Sequence, residues 1–154
     1  MKTREQLQGE IRYAIRLTER TARLYRRVQT TGTFLAILGG SSMISLLSSI
    51  VPTWVGIGGT VILAIAGAAL IATRPADKAA QNEADIRRYQ ALMAKSDTMT
   101  DDAFAAAINE AHQGDAPEIE PLRAVAFNDV ALEFNRADTL IPLTATQKML
   151  AALA

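Results

Sequence analysis

The sequence predicts an all-α integral membrane protein, in which a two-helix transmembrane hairpin carries a helical cytoplasmic module. Three observations predict this fold class. Residues 28–73 form a run of 46 positions without a charged side chain, and Pro52 interrupts the run near its middle. Two transmembrane helices of about 20 residues each, joined by a short turn, would occupy a run of this length. Outside it, apolar residues recur at three- and four-residue steps, and no stretch alternates as a strand would.

The first helices follow from these patterns in chain order. A helix over 4–27 is expected to continue into the first span, roughly 31–50, because no proline or glycine interrupts residues 10–31. Pro52 ends this span, since proline cannot continue the helical hydrogen-bond ladder. The second span covers roughly 53–73, and Arg74-Pro75 closes it or kinks it.

The remaining sequence predicts a helical module. Helices are expected over 77–95, 101–112 and 118–136, and Thr100 can cap the second of them. A short last helix follows Thr144 and Gln147, which have capping-box spacing. The helices at 77–95 and 118–136 each carry an apolar face, and we expect these faces to pack between subunits of a homo-oligomer. The domains are therefore a basic cytoplasmic helix at 1–30, the transmembrane hairpin at 31–73 and the cytoplasmic module at 74–154.

Charge predicts the orientation in the membrane. Residues 1–27 carry eight basic and three acidic side chains, whereas residues 74–154 carry eight basic and thirteen acidic ones. Basic residues flank both outer ends of the uncharged run, and the turn around Pro52 has none. Because positively charged residues at span ends stay on the cytoplasmic side, both termini are expected in the cytoplasm.

Several function classes are not expected. The chain has no cysteine, and its one histidine, His112, lies at a predicted helix end, where a cation favours the helix dipole. No metal-ligand spacing or catalytic motif occurs, so neither an enzyme nor a cofactor or metal site is predicted. The spans hold no ionisable residue, which argues against a proton-driven transporter.

Hydroxyl groups along the first span are candidates for lining a pore. Ser41, Ser45 and Ser48 share one helical face. In one interpretation they line a water-filled path between several copies of the chain. In the other they serve close helix packing, because small residues let backbones approach and serine can bond its own helix carbonyl.

Small residues predict a helix contact face, within the hairpin or with a neighbouring subunit. In the second span they follow four-residue and eight-residue steps, and two adjacent glycines lie in the first span. The predicted packing residues are Gly39, Gly40, Gly56, Gly59, Thr60, Ala64, Gly67 and Ala68.

A basic stripe runs along the helix before the first span. Its members follow steps of three and four residues: Arg12, Arg16, Arg20, Arg23 and Arg27. Such a stripe is typical of attraction to anionic lipid headgroups. The lower arginines have an alternative, which is pairing with acidic residues within 97–138. A nucleotide signal is a third interpretation, whereas nucleic acid is unlikely as a partner because no aromatic residues are interleaved.

Three segments, together with the Gly/Ser-rich hairpin, match a known family. The segments are Tyr25-Arg26-Arg27 before the first span, Asp85-Ile86-Arg87-Arg88-Tyr89 after the second, and Pro121-Leu122-Arg123-Ala124-Val125-Ala126-Phe127-Asn128. Over about residues 10–136 the chain resembles the SLATT superfamily of two-transmembrane bacterial conflict-system effectors. The resemblance implies an oligomeric, pore-like effector of the bacterial inner membrane that depolarises or permeabilises it in phage defence. It supplies no catalytic residue.

Together these observations predict a homo-oligomeric membrane effector that opens or assembles on a signal from a partner protein or a nucleotide. One alternative is a non-conducting membrane-anchored scaffold whose cytoplasmic helices recruit a soluble partner. Another is a phage holin-like protein, for which the module after the second span is large.

Overall fold

Every regular element that the structure describes is a helix. The structure is a computed structural model of the chain, and it describes residues 2–45 and 52–154, with the backbone alone at 42–45. The α-helices are α1 at Arg4–Ser45, α2 at Thr53–Thr73, α3 at Pro75–Ala94, α4 at Asp101–Gln113, α5 at Arg123–Glu133 and α6 at Ala145–Leu153. Short 3-10 turns lie at Ser96–Thr98, Glu120–Leu122 and Ala137–Thr139. The all-α prediction is confirmed for these residues.

The bounds of α1 and α2 follow the sequence pattern closely. α1 is one helix of 42 residues, so the predicted first helix does continue into the uncharged run. α2 begins directly after Pro52 and ends at Thr73. Arg74 then takes a left-handed conformation, with φ of 45°, and its N–H donates to the carbonyl of Leu70. Pro75 begins α3, so Arg74-Pro75 ends one helix and starts the next without a loop.

Two predicted helix caps are confirmed. The Thr100 side chain accepts a hydrogen bond from the backbone of Ala103 at the start of α4. Both halves of the capping box at α6 are formed, because Thr144 and Gln147 each bond the other's backbone N–H. These contacts satisfy helix-end donors that would otherwise lack a partner.

The predicted helix over 118–136 was too long. The chain is extended at Ile119, forms a 3-10 turn, and becomes α-helical only at Arg123. At the other end, Asn135 lies in the left-handed region with φ of 55°, beyond the last helical residue Glu133. Proline is compatible with a first helical turn, so Pro121 did not reveal the true start.

The chain divides into two compact units. One comprises Met1–Leu24 with Lys78–Ala154, and the other comprises Tyr25–Asp77. The domain boundaries that the sequence predicts lie after residues 30 and 73.

Two apolar clusters form the core of the first unit. In the first, the start of α1 packs against α3 and α4 through Leu7, Ile11, Tyr89, Phe104 and Ile108. In the second, a later stretch of α1 packs against α5 and the end of α6 through Leu17, Leu122, Val125, Ala126 and Ala154. Each of these side chains is 0–3% exposed.

These clusters correct one expectation about the helices after the hairpin. We expected the apolar faces of 77–95 and 118–136 to need a second subunit. Tyr89 on the first, and Leu122 and Ala126 on the second, are fully buried within a single chain. The N-terminal part of α1 covers these residues, so this part of the two faces does not need a second subunit. Phe127 and Leu132 stay exposed on the second helix, and a homo-oligomer stays a prediction.

The unit formed by Tyr25–Asp77 contains the last part of α1 and all of α2. Within the described residues, one helical stretch, Thr53–Ala94, is long and apolar enough to be a candidate membrane span.

Candidate functional site

The unit at Tyr25–Asp77 exposes large apolar side chains on both of its long helices. On α1, Phe34 is 59% and Ile37 is 61% exposed. On α2, Trp54, Ile65 and Ile71 are 74%, 66% and 80% exposed. Large exposed apolar patches are typical of surfaces that bind a protein or a membrane.

Glycines allow α1 and α2 to approach closely within this unit. A β-carbon built on Gly39 would lie 2.5 Å from the carbonyl oxygen of Gly59 and 2.8 Å from the β-carbon of Leu63. A β-carbon on Gly32 would lie 2.6 Å from a methyl group of Leu70. Close approach of two helix backbones at glycine is the usual way in which transmembrane helices pack.

The predicted packing residues of α2 fall on different sides of the helix. Gly56 and Gly59 are buried, and Ala66 is buried with them. Thr60 is half-buried, and its hydroxyl donates to the carbonyl of Gly56 at 3.0 Å. The side chains of Ala64 and Ala68 are exposed, and a β-carbon on Gly40 or Gly67 would meet nothing within 4 Å. The buried side therefore follows steps of three as well as four residues.

The predicted pore-lining serines are only partly described. Ser41 has an exposed side chain, and its hydroxyl donates to the carbonyl of Ile37 at 2.9 Å. Ser45 is the last residue of α1, but its side chain lies outside the described residues, as does the whole of Ser48. Ser41 is thus on the surface of the unit, with its own hydrogen bond satisfied within the helix.

The basic stripe is paired with carboxylates along the part of α1 that belongs to the first unit. Arg12 and Arg16 both contact Glu133 at the end of α5, and Arg16 also contacts Glu19 at 3.1 Å. The Arg12 guanidinium lies over the ring of Phe134, 5.1 Å from its centroid. For these two arginines the structure shows the pairing that the sequence offered as an alternative.

Arg20 makes the most extensive of these contacts. Its Nε and Nη2 donate to the two carboxylate oxygens of Asp129 at 2.9 and 3.0 Å, and its Nη1 donates to the carbonyl of Ala151 at 2.9 Å. The side chains of Arg20 and Asp129 are 20% and 27% exposed. A bidentate, partly buried pair of this kind is stronger than an exposed ion pair. Arg20 therefore connects α1 to both α5 and α6.

The upper part of the stripe differs from the lower part. Arg23 has an exposed side chain that donates to the Glu19 carbonyl of its own helix at 3.4 Å. Arg27 is also exposed and belongs to the second unit. A role for these residues at lipid headgroups or in signal reception remains a prediction.

A polar network surrounds the segment Asp85–Tyr89 of the resemblance. The Tyr89 hydroxyl donates to Asp115 Oδ2 at 2.5 Å, and Arg88 Nη2 donates to Asp115 Oδ1 at 2.7 Å. Asp85 Oδ1 forms an ion pair with Arg88 Nη2 at 3.0 Å, and Asp85 Oδ2 accepts a hydrogen bond from the backbone N–H of Ala116 at 2.8 Å. Burial, together with the hydrogen bond to Asp115, raises the pKa of Tyr89 above its ordinary value. This network fastens α3 to the connection after α4.

Asn128, at the end of the third segment of the resemblance, has a similar fastening role. Its side-chain amide donates to the carbonyl of Ile141 at 2.8 Å and accepts from the N–H of the same residue at 2.8 Å. These two bonds hold the connection between α5 and α6. The Asn128 side chain therefore provides hydrogen-bond partners for the N–H and the carbonyl of Ile141, which lies outside the helices.

Sequence reasoning missed Arg4 as a structural residue. Its Nη1 and Nη2 donate to the carbonyls of Ser96 and Met99 at 2.8 and 2.5 Å, and its Nε lies 3.0 Å from Asp101. The signal that could have found it is the pair of adjacent acidic residues at the start of α4. Arg4 forms an ion pair with the first of them, Asp101.

An open groove in the first unit was also missed. It has a volume of about 900 Å³ and lies between the start of α1 and the end of α5. Phe127 and Phe134 in its wall are 39% and 44% exposed, and a β-carbon on Gly9 would meet nothing within 4 Å. Two glutamates of α1, Glu5 and Glu10, stand on one side of the groove.

Within the described residues, no group of three His, Asp or Glu side chains is arranged to hold a metal ion. His112 lies in the last turn of α4, with its ring centroid 5.6 Å from that of Tyr89. Comparisons with protein-family models, with curated proteins and with solved structures found no match.

Proposed function

We propose that residues 28–73 form a two-helix transmembrane hairpin and that several copies of the chain assemble into a pore in the bacterial inner membrane. The pore depolarises or permeabilises that membrane, as the resemblance to SLATT effectors of phage defence implies. Both termini and the first unit are cytoplasmic in this proposal. Its trigger is a partner protein or a nucleotide.

The exposed apolar surface of the second unit carries this proposal. Burying a large apolar side chain is worth about 1.5–3 kcal/mol, so in water side chains such as Ile65 and Ile71 would impose a large cost. In lipid this cost disappears. Residues 28–73 contain no charge that would resist transfer to the membrane, and the close contact at Gly39 and Gly59 is compatible with packing in lipid.

Ser41 supports an oligomeric pore rather than a path through one chain. Its side chain is exposed, and α1 and α2 pack too closely at Gly39 to leave a path between them. A hydroxyl-lined path through Ser41, Ser45 and Ser48 therefore requires neighbouring copies of the chain. Because the Ser41 hydroxyl already bonds its own helix, it can face lipid in the unassembled state at little cost.

The experiment measures membrane potential with a voltage-sensitive dye in cells that express the chain. The wild type is compared with a variant in which Ser41, Ser45 and Ser48 are changed to leucine. Ala69→Leu, at an exposed position of α2 outside the predicted packing residues, is the control for added volume. We expect the wild type and the control to depolarise the cells and the triple variant not to do so. Equal depolarisation by all three would contradict the lining.

A second candidate function is a scaffold without a channel. The groove at Gly9, Phe127 and Phe134 favours it, because an open apolar groove is a typical docking surface for a partner helix. Single-channel recording on the purified chain in planar bilayers distinguishes the two functions. Conductance supports the pore. If the chain does not conduct, either alone or after a partner protein or a nucleotide is added, the scaffold is supported.

A further inference from the structure

A second cavity lies within the unit at Tyr25–Asp77, where α2 ends and α3 begins. It has a volume of about 360 Å³. Its lining is apolar on one part and polar on the other, and consists of Gln29, Leu70, Ile71, Arg74, Ala76 and Asp77. In the proposed orientation, this cavity lies at the cytoplasmic end of the second span, where lipid headgroups meet acyl chains.

Two opposite charges stand side by side in this lining. Arg74 Nε lies 3.0 Å from Asp77 Oδ2, and the two side chains are 74% and 56% exposed. An exposed pair of this kind contributes little to folding, and both groups can still reach a ligand. The left-handed backbone of Arg74 is unfavourable for any residue other than glycine, asparagine or aspartate, yet an arginine occupies it.

The pair matches a zwitterion better than an anion. A guanidinium binds a phosphate well, and a carboxylate accepts hydrogen bonds from an ammonium group. Asp77 would repel a headgroup that carries only negative charge. A quaternary ammonium cannot donate hydrogen bonds and is bound by aromatic residues, and none of the six lining residues is aromatic. Leu70 and Ile71 are suited to the start of an acyl chain.

We propose that this cavity binds a phospholipid whose headgroup carries a phosphate and a primary ammonium, of which phosphatidylethanolamine is the representative. Arg74 binds the phosphate, Asp77 binds the ammonium, and Gln29 supplies a further hydrogen bond. The site rests on the proposed function, because it uses the membrane orientation given there. Asp77 also lies in the first turn of α3, where the dipole favours it, so the pair and the apolar wall together carry the proposal.

The test titrates the full chain in detergent micelles with short-chain phosphatidylethanolamine, phosphatidylcholine and phosphatidylglycerol, and native mass spectrometry reads the bound lipid. We expect phosphatidylethanolamine to bind about tenfold more tightly than phosphatidylcholine, because one charge-assisted hydrogen bond changes affinity by about this factor. Asp77→Asn should remove this preference and raise the relative affinity for phosphatidylglycerol, because no carboxylate then binds the ammonium or repels an anion. Arg74→Gln should weaken the binding of all three lipids, because each of them carries the phosphate that Arg74 binds. Arg87→Gln, an exposed arginine of α3 outside the cavity, should leave it unchanged.

Equal binding of all three lipids by the wild type, or an unchanged preference in Asp77→Asn, would overturn the site. Flotation of the chain with lipid vesicles tests the hairpin separately. A chain that floats without lipid preference refutes the site alone. A chain that does not float but keeps the preference refutes the hairpin while supporting the cavity chemistry.

Discussion

Gly39 lies so close to Gly59 that a β-carbon on Gly39 would stand 2.5 Å from the Gly59 carbonyl oxygen. The neighbouring glycine, Gly40, would meet nothing within 4 Å. Adjacent glycines on one helix therefore have different roles. Gly39 sets the distance between α1 and α2, and Gly40 lies on the outside of the pair.

Gly39→Ala should destabilise the packed helix pair, and Gly40→Ala should not. The added methyl at Gly39 must push against backbone atoms, which typically costs about 1–3 kcal/mol. The same change at Gly40 meets open space and gains helix propensity of about 1 kcal/mol. Unfolding in detergent micelles, followed by circular dichroism during denaturant titration, measures both. Equal midpoints for the two variants would show that Gly39 is not a contact.

Arg20→Met should destabilise the first unit more than Arg23→Met does. The first change removes a bidentate bond to Asp129 and leaves that partly buried carboxylate without its partner. The expected loss is about 2–3 kcal/mol in the free energy of unfolding. Arg23 is exposed and bonds only weakly to its own helix, so its loss should cost under about 0.5 kcal/mol. Similar losses for the two variants would contradict this role of Arg20.

The Tyr89→Phe variant should lose less stability at high pH than the wild type does. The pKa of Tyr89 is raised in the folded chain, so its stabilising contribution is complete below the ordinary tyrosine value near 10 and is lost as pH rises above it. The wild type should therefore lose melting temperature between about pH 9.5 and 11 more steeply than Tyr89→Phe. Parallel melting curves across this range would refute the raised pKa of Tyr89, which burial and the hydrogen bond to Asp115 cause.

Asn128→Ala should loosen the connection between α5 and α6. It leaves both the N–H and the carbonyl of Ile141 without their side-chain partner. The expected cost is about 1–2 kcal/mol, with faster hydrogen exchange confined to the connection and α6. Asn109→Ala, at an exposed position of α4, is the control and should change neither quantity. Unchanged exchange at Ile141 in the Asn128 variant would count against the fastening role.

Local signals made parts of the fold predictable. Pro52 and Arg74-Pro75 delimit α2, and Thr100 marks the start of α4, because proline and capping side chains act through their immediate neighbours. The start predicted at residue 118 was wrong, because Pro121 is compatible with a first helical turn and does not tell whether a 3-10 turn precedes the α-helix. Helix bounds were therefore predictable where one local interaction decides them.

Contacts between distant segments were not predictable. The stripe on α1 was visible, and acidic residues in 97–138 were suggested as partners, but the packing of α5 on α1 selects Asp129 and Glu133 from among them. In the same way, small residues on α2 suggested a contact face. Only the register between α1 and α2 selects Gly59 as the neighbour of Gly39.

The most direct test of the account is the accessibility of single cysteines on the two sides of the membrane. The chain has no cysteine, so Thr53→Cys at the start of α2 and Gln113→Cys at the end of α4, both exposed, give one reactive thiol each. The reagent is a maleimide on a polyethylene glycol chain too large to pass a pore. In intact spheroplasts we expect it to label Thr53→Cys and to reach Gln113→Cys only after detergent is added. If both cysteines, or neither, are labelled before detergent, then residues 28–73 do not cross the membrane twice.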